Sequence, residues 1–215
     1  MKRLMTQAHV KEDSSYSEEL TALARSAEPV ARPKALYRVV YIDARDGDRV
    51  VIAGQPFTSR VLRVNLEKAH RIFAFLATCG AELDGWSASL TDSLQQFWAD
   101  TVKRLALDDA RAALQKYIKE RYQPGKTAVM LPGSLTDWPI EEQRALFDLL
   151  GDSAAAIGVV LRESMLMNPV MSISGIAFPT QESFESCMLC PRERCPGRRA
   201  PYDVNLYDKK YARQS

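Results

Sequence analysis

Three cysteines lie close together near the C-terminus, in the stretch CMLCPRERCPGRR. Cys187 and Cys190 have the C-x-x-C spacing that lets two thiolates bind one metal, and Cys195 can fold back towards them across a tight turn. Pro191 and Pro196 each follow a cysteine directly, and because proline interrupts a continuous helix we expect a loop here. Three thiolates with one further ligand suit a tetrahedral zinc ion or an iron–sulfur cluster.

The fourth ligand of such a site would come from elsewhere in the chain. Cys79 is the remaining cysteine of the four, and Gly80 beside it would let the backbone approach another group closely. A single cysteine at the end of a helix is, however, often simply buried. The cluster also allows two interpretations without a metal: a redox dithiol of Cys187 and Cys190, or three reduced thiols in a mobile tail. The spacing favours a metal site and does not decide between zinc and iron–sulfur.

The composition is that of a soluble globular protein of one large domain or two small ones, with 46% hydrophobic and 26% charged residues among 215. The net charge of +2 gives no reason to expect a nucleic-acid partner, and the basic residues after the cysteines predict a solvated tail. The longest apolar stretch, AAAIGVVL, is far shorter than the roughly 20 residues of a membrane helix, and the N-terminus has no apolar signal region. We therefore expect a cytoplasmic protein with reduced thiols and no membrane partner.

Side chains for hydrolytic or transfer catalysis are sparse. The chain has two histidines, His9 and His70, and it contains no GxSxG, HExxH or Walker-type motif. Adjacent acids such as Asp108 and Asp109 point in different directions from a helix, so they do not form a catalytic pair. We predict no catalytic residue, and whether the chain is an enzyme stays open.

The first half of the chain predicts an arm, a set of strands and two helices. Residues 1–33 are polar and interrupted by proline, which predicts a loosely ordered N-terminal arm. Residues 35–64 predict three strands, the first two joined by the Asp-Gly turn of ARDGDR and the third formed by TSRVLRV. Apolar residues at helical spacing predict a helix over 65–76, and residues 87–121 predict a second helix with a break near Asp108.

The second half adds one helix and further strands. TAVML predicts a short strand, and Pro139 and Gly151 mark the first turn and the end of a helix. AAIGVVLRES and MSISGIAFPT predict two more strands. This order predicts an α+β fold, an antiparallel or mixed twisted sheet with packed helices. The expected organisation is an arm at 1–33, an α+β domain at 34–180 and a metal-binding cysteine segment with a tail at 181–215.

Two stretches, LPGSLTDWPIEEQRALFDLLG and IGVVLRESMLMNPVMSISGIAF, resemble the activation domain of cobalamin-dependent methionine synthase. The shared pattern is a Pro-Gly loop, a leucine-rich helix, a strand beginning Ile-Gly, a Glu-Ser turn and a Ser-x-Ser-Gly strand. ATCGAEL also resembles a turn of small stand-alone relatives of this domain. The matching residues are Pro132, Gly133, Leu146–Leu150, Ile157, Gly158, Leu161, Glu163, Ser164, Pro169, Ser172, Ser174 and Gly175.

The resemblance implies a protein that binds S-adenosylmethionine and sits over a corrinoid, where it allows inactive cob(II)alamin to be reduced and remethylated. Free-standing relatives look like companions of corrinoid methyltransferases in anaerobic one-carbon metabolism. The chain departs from the family at two positions: aligned on Gly133, Val129 replaces the arginine and Ser134 the tyrosine that contact S-adenosylmethionine. A charge-assisted bond and a flat aromatic surface are thereby lost, so those contacts do not carry over. The cysteine segment has no counterpart in the methionine synthase domain.

These features suggest one main hypothesis and two alternatives. In the main hypothesis the chain supports reductive activation of a corrinoid-dependent methyltransferase by electron transfer through an iron–sulfur cluster. Its ligands would be Cys187, Cys190, Cys195 and Cys79. The alternatives are a non-catalytic docking module with a structural zinc, and S-adenosylmethionine-dependent methyl transfer to a corrinoid. The residues expected to face the partner or a small ligand are Pro132, Gly133, Ser134, Asp137, Ser172 and Ser174.

Overall fold

The computed structural model describes residues 1–195 and 197–213. Pro196, one of the two prolines that predict a loop, lies outside the described residues. The chain forms two compact units, each made of three separate segments. The first comprises Met1–Leu36, Leu76–Tyr117 and Asp152–Ile173; the second comprises Tyr37–Phe75, Ile118–Gly151 and the described residues from Ser174 onwards. The units alternate along the chain, whereas the sequence predicted consecutive segments.

Helices account for much of the described chain. The α-helices are α1 (Lys2–Gln7), α2 (Tyr16–Ala27), α3 (Arg60–Asn65), α4 (Ala81–Ala88), α5 (Ser93–Tyr122), α6 (Gln143–Leu150), α7 (Ser153–Ala156) and α8 (Leu206–Lys210). Short 3-10 helices lie at Ile140–Glu142 and Ser186–Leu189. None of the helices in the described part of the chain has the length and apolar composition needed to cross a lipid bilayer.

The strands form a large sheet and a small one. They are β1 (Lys34–Asp46), β2 (Arg49–Ile52), β3 (Gln55–Thr58), β4 (Arg71–Thr78), β5 (Thr127–Met130), β6 (Val160–Leu161), β7 (Met167–Asn168) and β8 (Ser172–Pro179). The large sheet has the order β3-β2-β1-β4-β8-β5, and β6 pairs with β7. The pairs β1–β2, β2–β3 and β5–β8 are antiparallel. The architecture confirms the predicted α+β class, an antiparallel sheet with packed helices.

Several local predictions are confirmed in the second unit. Asp46 pairs with Arg49 across the Asp-Gly turn, where Gly47 has the positive φ of +54° that such a turn requires. TAVML provides β5, and Gly151 ends α6 with a φ of +60°. The hairpin and the helix end were predictable because glycine at those positions fixes the backbone locally.

The region between residues 58 and 78 differs from its prediction. The predicted third strand is instead helix α3, because the Ser59 side chain accepts a hydrogen bond from Leu62 N at 2.9 Å and caps the helix. The predicted helix over 65–76 contains most of strand β4. Every residue of β4 after Arg71 is buried. A strand covered on both faces has a continuous apolar run, and periodicity cannot separate such a run from a buried helix.

The N-terminal segment is folded, in contrast to the loosely ordered arm that its composition predicts. Leu4, Met5, Leu20 and Leu23 are buried in a cluster with Trp98, all within the first unit. These leucines recur at helical spacing, but the polar and proline residues between them dominate the composition. Apolar burial of this kind, rather than helix propensity, holds short helices in place.

Helix α5 continues through residues 108 and 109 without the predicted break. Arg3 forms ion pairs with Asp108, at 3.5 Å, and with Asp109, so both acids lie on the outer side of the helix. Exposed carboxylates do not interrupt helical hydrogen bonding, which explains why the acidic pair does not end the helix.

Replacing Leu20 with alanine tests whether the N-terminal helices belong to the folded protein. Leu20 is fully buried, so Leu20→Ala should lower the free energy of unfolding by about 2–5 kcal/mol. Leu94, 38% exposed on α5, is the matched control, and Leu94→Ala should cost less than about 1 kcal/mol. Urea unfolding followed by circular dichroism measures both, and equal losses would contradict the buried position of Leu20.

Candidate functional site

The cysteine loop, defined here as residues 185–203, is anchored at its first end. Strand β8 leads into it, and Lys126 Nζ donates to Ser183 Oγ at 2.6 Å. Phe184 is buried, and its ring packs edge-on against the ring of Tyr211, with centroids 6.4 Å apart. Glu182 forms an ion pair with Lys210 at 2.6 Å. Residues on both sides of the loop therefore meet at its base.

The segment after the loop is docked on the second unit through Tyr211, which is only 1% exposed. Its hydroxyl donates to Asn65 Oδ1 at 2.9 Å, and its carbonyl oxygen accepts a hydrogen bond from Arg60 Nε at 3.0 Å. Arg213 pairs with Asp48 at 2.6 Å. Burial raises the pKa of the Tyr211 phenol, so the hydroxyl stays protonated as a donor. Most of the basic residues in this part of the chain are exposed, as the prediction of a solvated tail expects, but the buried Tyr211 fixes the segment to the rest of its unit.

Three thiols project from the cysteine loop. Cys187 lies on the 3-10 helix Ser186–Leu189, and Cys190 N donates to Cys187 O at 3.3 Å. Cys187, Cys190 and Cys195 are half-buried and free of disulfides. The backbone N–H of Arg199 donates to Cys187 Sγ at 3.5 Å. Within residues 1–195 and 197–213, no three His, Cys, Asp or Glu side chains are arranged to hold a metal ion.

Cys79 lies in the first unit, at the end of β4, and is fully buried beside Ala27 and Leu83. Its Sγ donates to Gly80 O at 3.6 Å. Burial, together with the negative charge of Asp84, raises the pKa of this thiol to about 11. Cys79 is therefore a protonated thiol at neutral pH, and its role as the fourth metal ligand stays a prediction.

The Pro-Gly loop uses its polar groups within its own unit. Pro132 is buried, and the exposed Gly133 has a φ of +77° and donates its N–H to Trp138 O at 2.8 Å. Ser134 donates its hydroxyl to Leu131 O at 2.7 Å. The loop is thus a closed turn, in which Pro132, Gly133 and Ser134 have structural partners.

Asp137 has a structural role at the start of α3. One of its carboxylate oxygens accepts hydrogen bonds from Val61 N, at 2.9 Å, and from the Ser59 hydroxyl. The carboxylate thus satisfies a backbone N–H in the first turn of the helix, which otherwise lacks an internal partner. This contact joins the Pro-Gly loop to α3 within the second unit.

The two serines of β8 have different surroundings. Ser172, in the first unit, donates to Pro169 O at 2.7 Å and lies 2.9 Å from the Thr78 hydroxyl oxygen. Ser174, in the second unit, is 3% exposed, and its hydroxyl has no hydrogen-bond partner among the described residues. Neither serine faces solvent freely. A ligand-facing role for either one stays a prediction.

Two glycines that lie near these residues explain part of the sequence resemblance. A Cβ at Gly80, whose φ is +95°, would clash with the carbonyl oxygen of Arg32 within the first unit. A Cβ at Gly175 would lie 2.7 Å from Met130 O, so glycine lets β8 approach the end of β5. The ATCGAEL and Ser-x-Ser-Gly motifs therefore contain a glycine where another backbone segment packs closely against it.

Comparisons with known proteins agree with the α+β fold described above. Residues 84–187 match the family described as vitamin B12 dependent methionine synthase, activation domain. No curated protein matches the chain. The family match and the α+β architecture confirm the predicted resemblance to this activation domain. The match ends at Cys187, so Cys190 and Cys195 lie beyond it.

A solved structure shares the fold. It is described as the crystal structure of the MetH reactivation domain bound to AdoHcy. The TM-score is 0.58 at 20% sequence identity, with 81% of this chain and 70% of that chain covered. At this identity the likeness shows the fold, and the bound AdoHcy is a property of that protein.

Asp137→Ala separates a capping role from a purely ligand-facing one. The loss of the carboxylate should lower the free energy of unfolding by about 1–2 kcal/mol, because a first-turn N–H of α3 loses its acceptor. Asp148, exposed on α6, provides the control, and Asp148→Ala should be neutral within about 0.5 kcal/mol. Urea unfolding measures both. A stability of Asp137→Ala equal to that of the wild type would refute the cap.

The raised pKa of Cys79 predicts a loss of stability at alkaline pH in the metal-free protein. The ordinary pKa of the thiol is 9.0 and the folded value is about 11, so between these values the unfolded chain releases the proton first. Stability from this group is complete below pH 9 and declines towards pH 11, by about 3 kcal/mol in all.

The test is the difference in unfolding free energy between the wild type and Cys79→Ala, measured from pH 8 to pH 11. Other groups, Tyr211 among them, contribute equally to both proteins and cancel. We expect the advantage of the wild type to shrink as the pH rises. A difference that stays constant over this range would show that the thiol is not buried in its protonated form.

Proposed function

We propose that this chain supports the reductive reactivation of a corrinoid-dependent methyltransferase. The match of residues 84–187 to the activation domain of vitamin B12 dependent methionine synthase carries the proposal. A corrinoid whose cobalt is trapped as cob(II)alamin needs one electron and a methyl group to return to its active form. The partner is therefore a corrinoid protein or a corrinoid-dependent methyltransferase.

The electron, in this proposal, comes through an iron–sulfur cluster held by the cysteine loop. Cys187, Cys190 and Cys195 supply thiols of the kind that bind iron. Support comes from their spacing and their reduced state. When bound, such a cluster supplies one-electron reduction. The described residues do not form an assembled metal site, so the thiols must rearrange on binding.

The fourth ligand is the least supported part of the proposal. Cys79 is the one remaining thiol in the sequence, but it is buried and protonated in the metal-free chain. Binding would require it to lose that proton, because the thiolate is the form that coordinates metals.

A structural zinc in a docking module is the second candidate function. The observation that favours it is the closed base of the cysteine loop, where Phe184 packs against Tyr211. A loop that is already tethered at both ends suits a metal that fixes a surface for a partner. Metal identity separates this candidate from the first.

S-adenosylmethionine-dependent methyl transfer has less support. Val129 lies in β5 opposite Ala177, and the Ser134 hydroxyl is bonded to Leu131 O. Neither position presents a guanidinium or an aromatic ring for the ligand. Binding of S-adenosylmethionine would therefore need other side chains of this chain.

Anaerobic reconstitution with iron and sulfide tests the cluster directly. The wild type should become coloured, retain iron after desalting and give a paramagnetic resonance signal on reduction. Single Cys187→Ser, Cys190→Ser and Cys195→Ser variants should each lose most of the iron, because each removes one thiolate ligand. Iron content and visible absorption measure the effect.

Cys79→Ala is the informative fourth variant. Retained iron in this variant would mean that Cys79 is a buried core residue and not a ligand. A colourless wild type that holds one zinc ion and no iron would overturn electron transfer and favour the docking module.

A further inference from the structure

The guanidinium of Arg198 lies within the cysteine loop and is bonded to four backbone carbonyl oxygens. Nη1 donates to Cys187 O at 3.1 Å and to Ala200 O at 3.2 Å. Nη2 donates to Cys190 O at 3.2 Å and also to Arg192 O. One side chain therefore joins the first part of the loop to its last part.

These contacts matter because the loop has little regular structure of its own. After the 3-10 helix its carbonyl groups lack the partners that a helix or sheet would provide, and unpartnered polar groups are costly when shielded from water. The backbone adds one closing bond, from Asp203 N to Met188 O at 2.9 Å. The planar guanidinium presents five donors in a fixed arrangement, whereas a lysine would offer one nitrogen.

The charge of Arg198 is also not neutralised by an acid. None of the carboxylates in residues 1–195 and 197–213 forms an ion pair with it, although Arg199 beside it pairs with Glu185 at 2.9 Å. This half-buried cation is thus held by neutral carbonyl groups, two of which belong to Cys187 and Cys190.

We propose that Arg198 is the positioning residue of the cysteine loop. It holds the backbone that carries Cys187 and Cys190 in a closed form before any metal binds, and its charge offsets that of the thiolates. The thiols still have to move together when a metal binds, but less of the backbone then has to be ordered, so the affinity is higher. The binding of a metal by this loop rests on the proposed function. The closure of the loop by Arg198 does not depend on it.

The first arm of the test uses metal-free protein and hydrogen–deuterium exchange of peptides that cover residues 187–203. Arg198→Gln should raise the exchange rate across the loop by at least tenfold, because the carbonyls lose their common donor. Arg194→Gln is the matched control: Arg194 is exposed in the same loop, and its removal changes the charge equally. It should exchange like the wild type.

The second arm measures the affinity for zinc alone, by competition with a chelator, with cobalt(II) absorption as the report of thiolate coordination. Arg198→Gln should weaken zinc binding about 10- to 100-fold, as outer-sphere partners of metal ligands do. Arg198→Lys keeps the charge but not the planar donors, and it should weaken binding nearly as much. Urea unfolding should show unchanged global stability in all variants.

The outcomes distinguish this inference from the proposed function. Metal binding by Arg198→Gln with the affinity of the wild type, or unchanged exchange in its loop, overturns the positioning role alone. Full affinity in Arg198→Lys shows that charge suffices and overturns the role of the guanidinium geometry. A wild type that binds neither zinc nor iron overturns the metal site of the proposed function, even where the exchange arm shows an Arg198-dependent loop.

Discussion

The ring of Tyr211 packs against Phe184 in the second unit, and its hydroxyl donates to Asn65. Phe184 precedes the cysteine loop and Tyr211 follows it, so this contact brings the two ends of the loop together. The entropy lost on closing a loop grows only slowly with its length, and one buried aromatic pair with its hydrogen bonds offsets a large part of it. The thiols are therefore carried by a closed loop and not by the mobile tail that was one interpretation of the cysteine cluster.

Polar groups elsewhere in the second unit also form hydrogen bonds within that unit. The Pro-Gly loop bonds to itself and, through Asp137, caps α3. The chain thus has the fold of an activation domain, with a Pro-Gly loop whose polar groups have partners within the second unit. The cysteines beyond Cys187 are an addition to the matched region. Two of the three thiols proposed to hold the electron-transferring cluster lie in this addition.

Local rules predicted the elements whose ends are fixed by single residues. Gly47 and Gly151 set a hairpin and a helix end, and both were predictable. Strand β4 was not, because a strand buried on both faces has no polar side to reveal its period. The N-terminal helices were not predicted because the segment is mostly polar. Its few apolar residues, Leu20 among them, are nevertheless buried. The role of Arg198 depends on carbonyl oxygens, which carry no sequence signal.

The central claim is that reduced cysteine-bound iron passes an electron to a corrinoid. The most direct measurement is paramagnetic resonance of cob(II)alamin mixed anaerobically with the reconstituted, reduced chain in the presence of S-adenosylmethionine. The account predicts that the cob(II)alamin signal decays while the cluster is oxidised, and that a Cys190→Ser variant leaves the signal in place. A cob(II)alamin signal that persists beside a fully reduced cluster would contradict it.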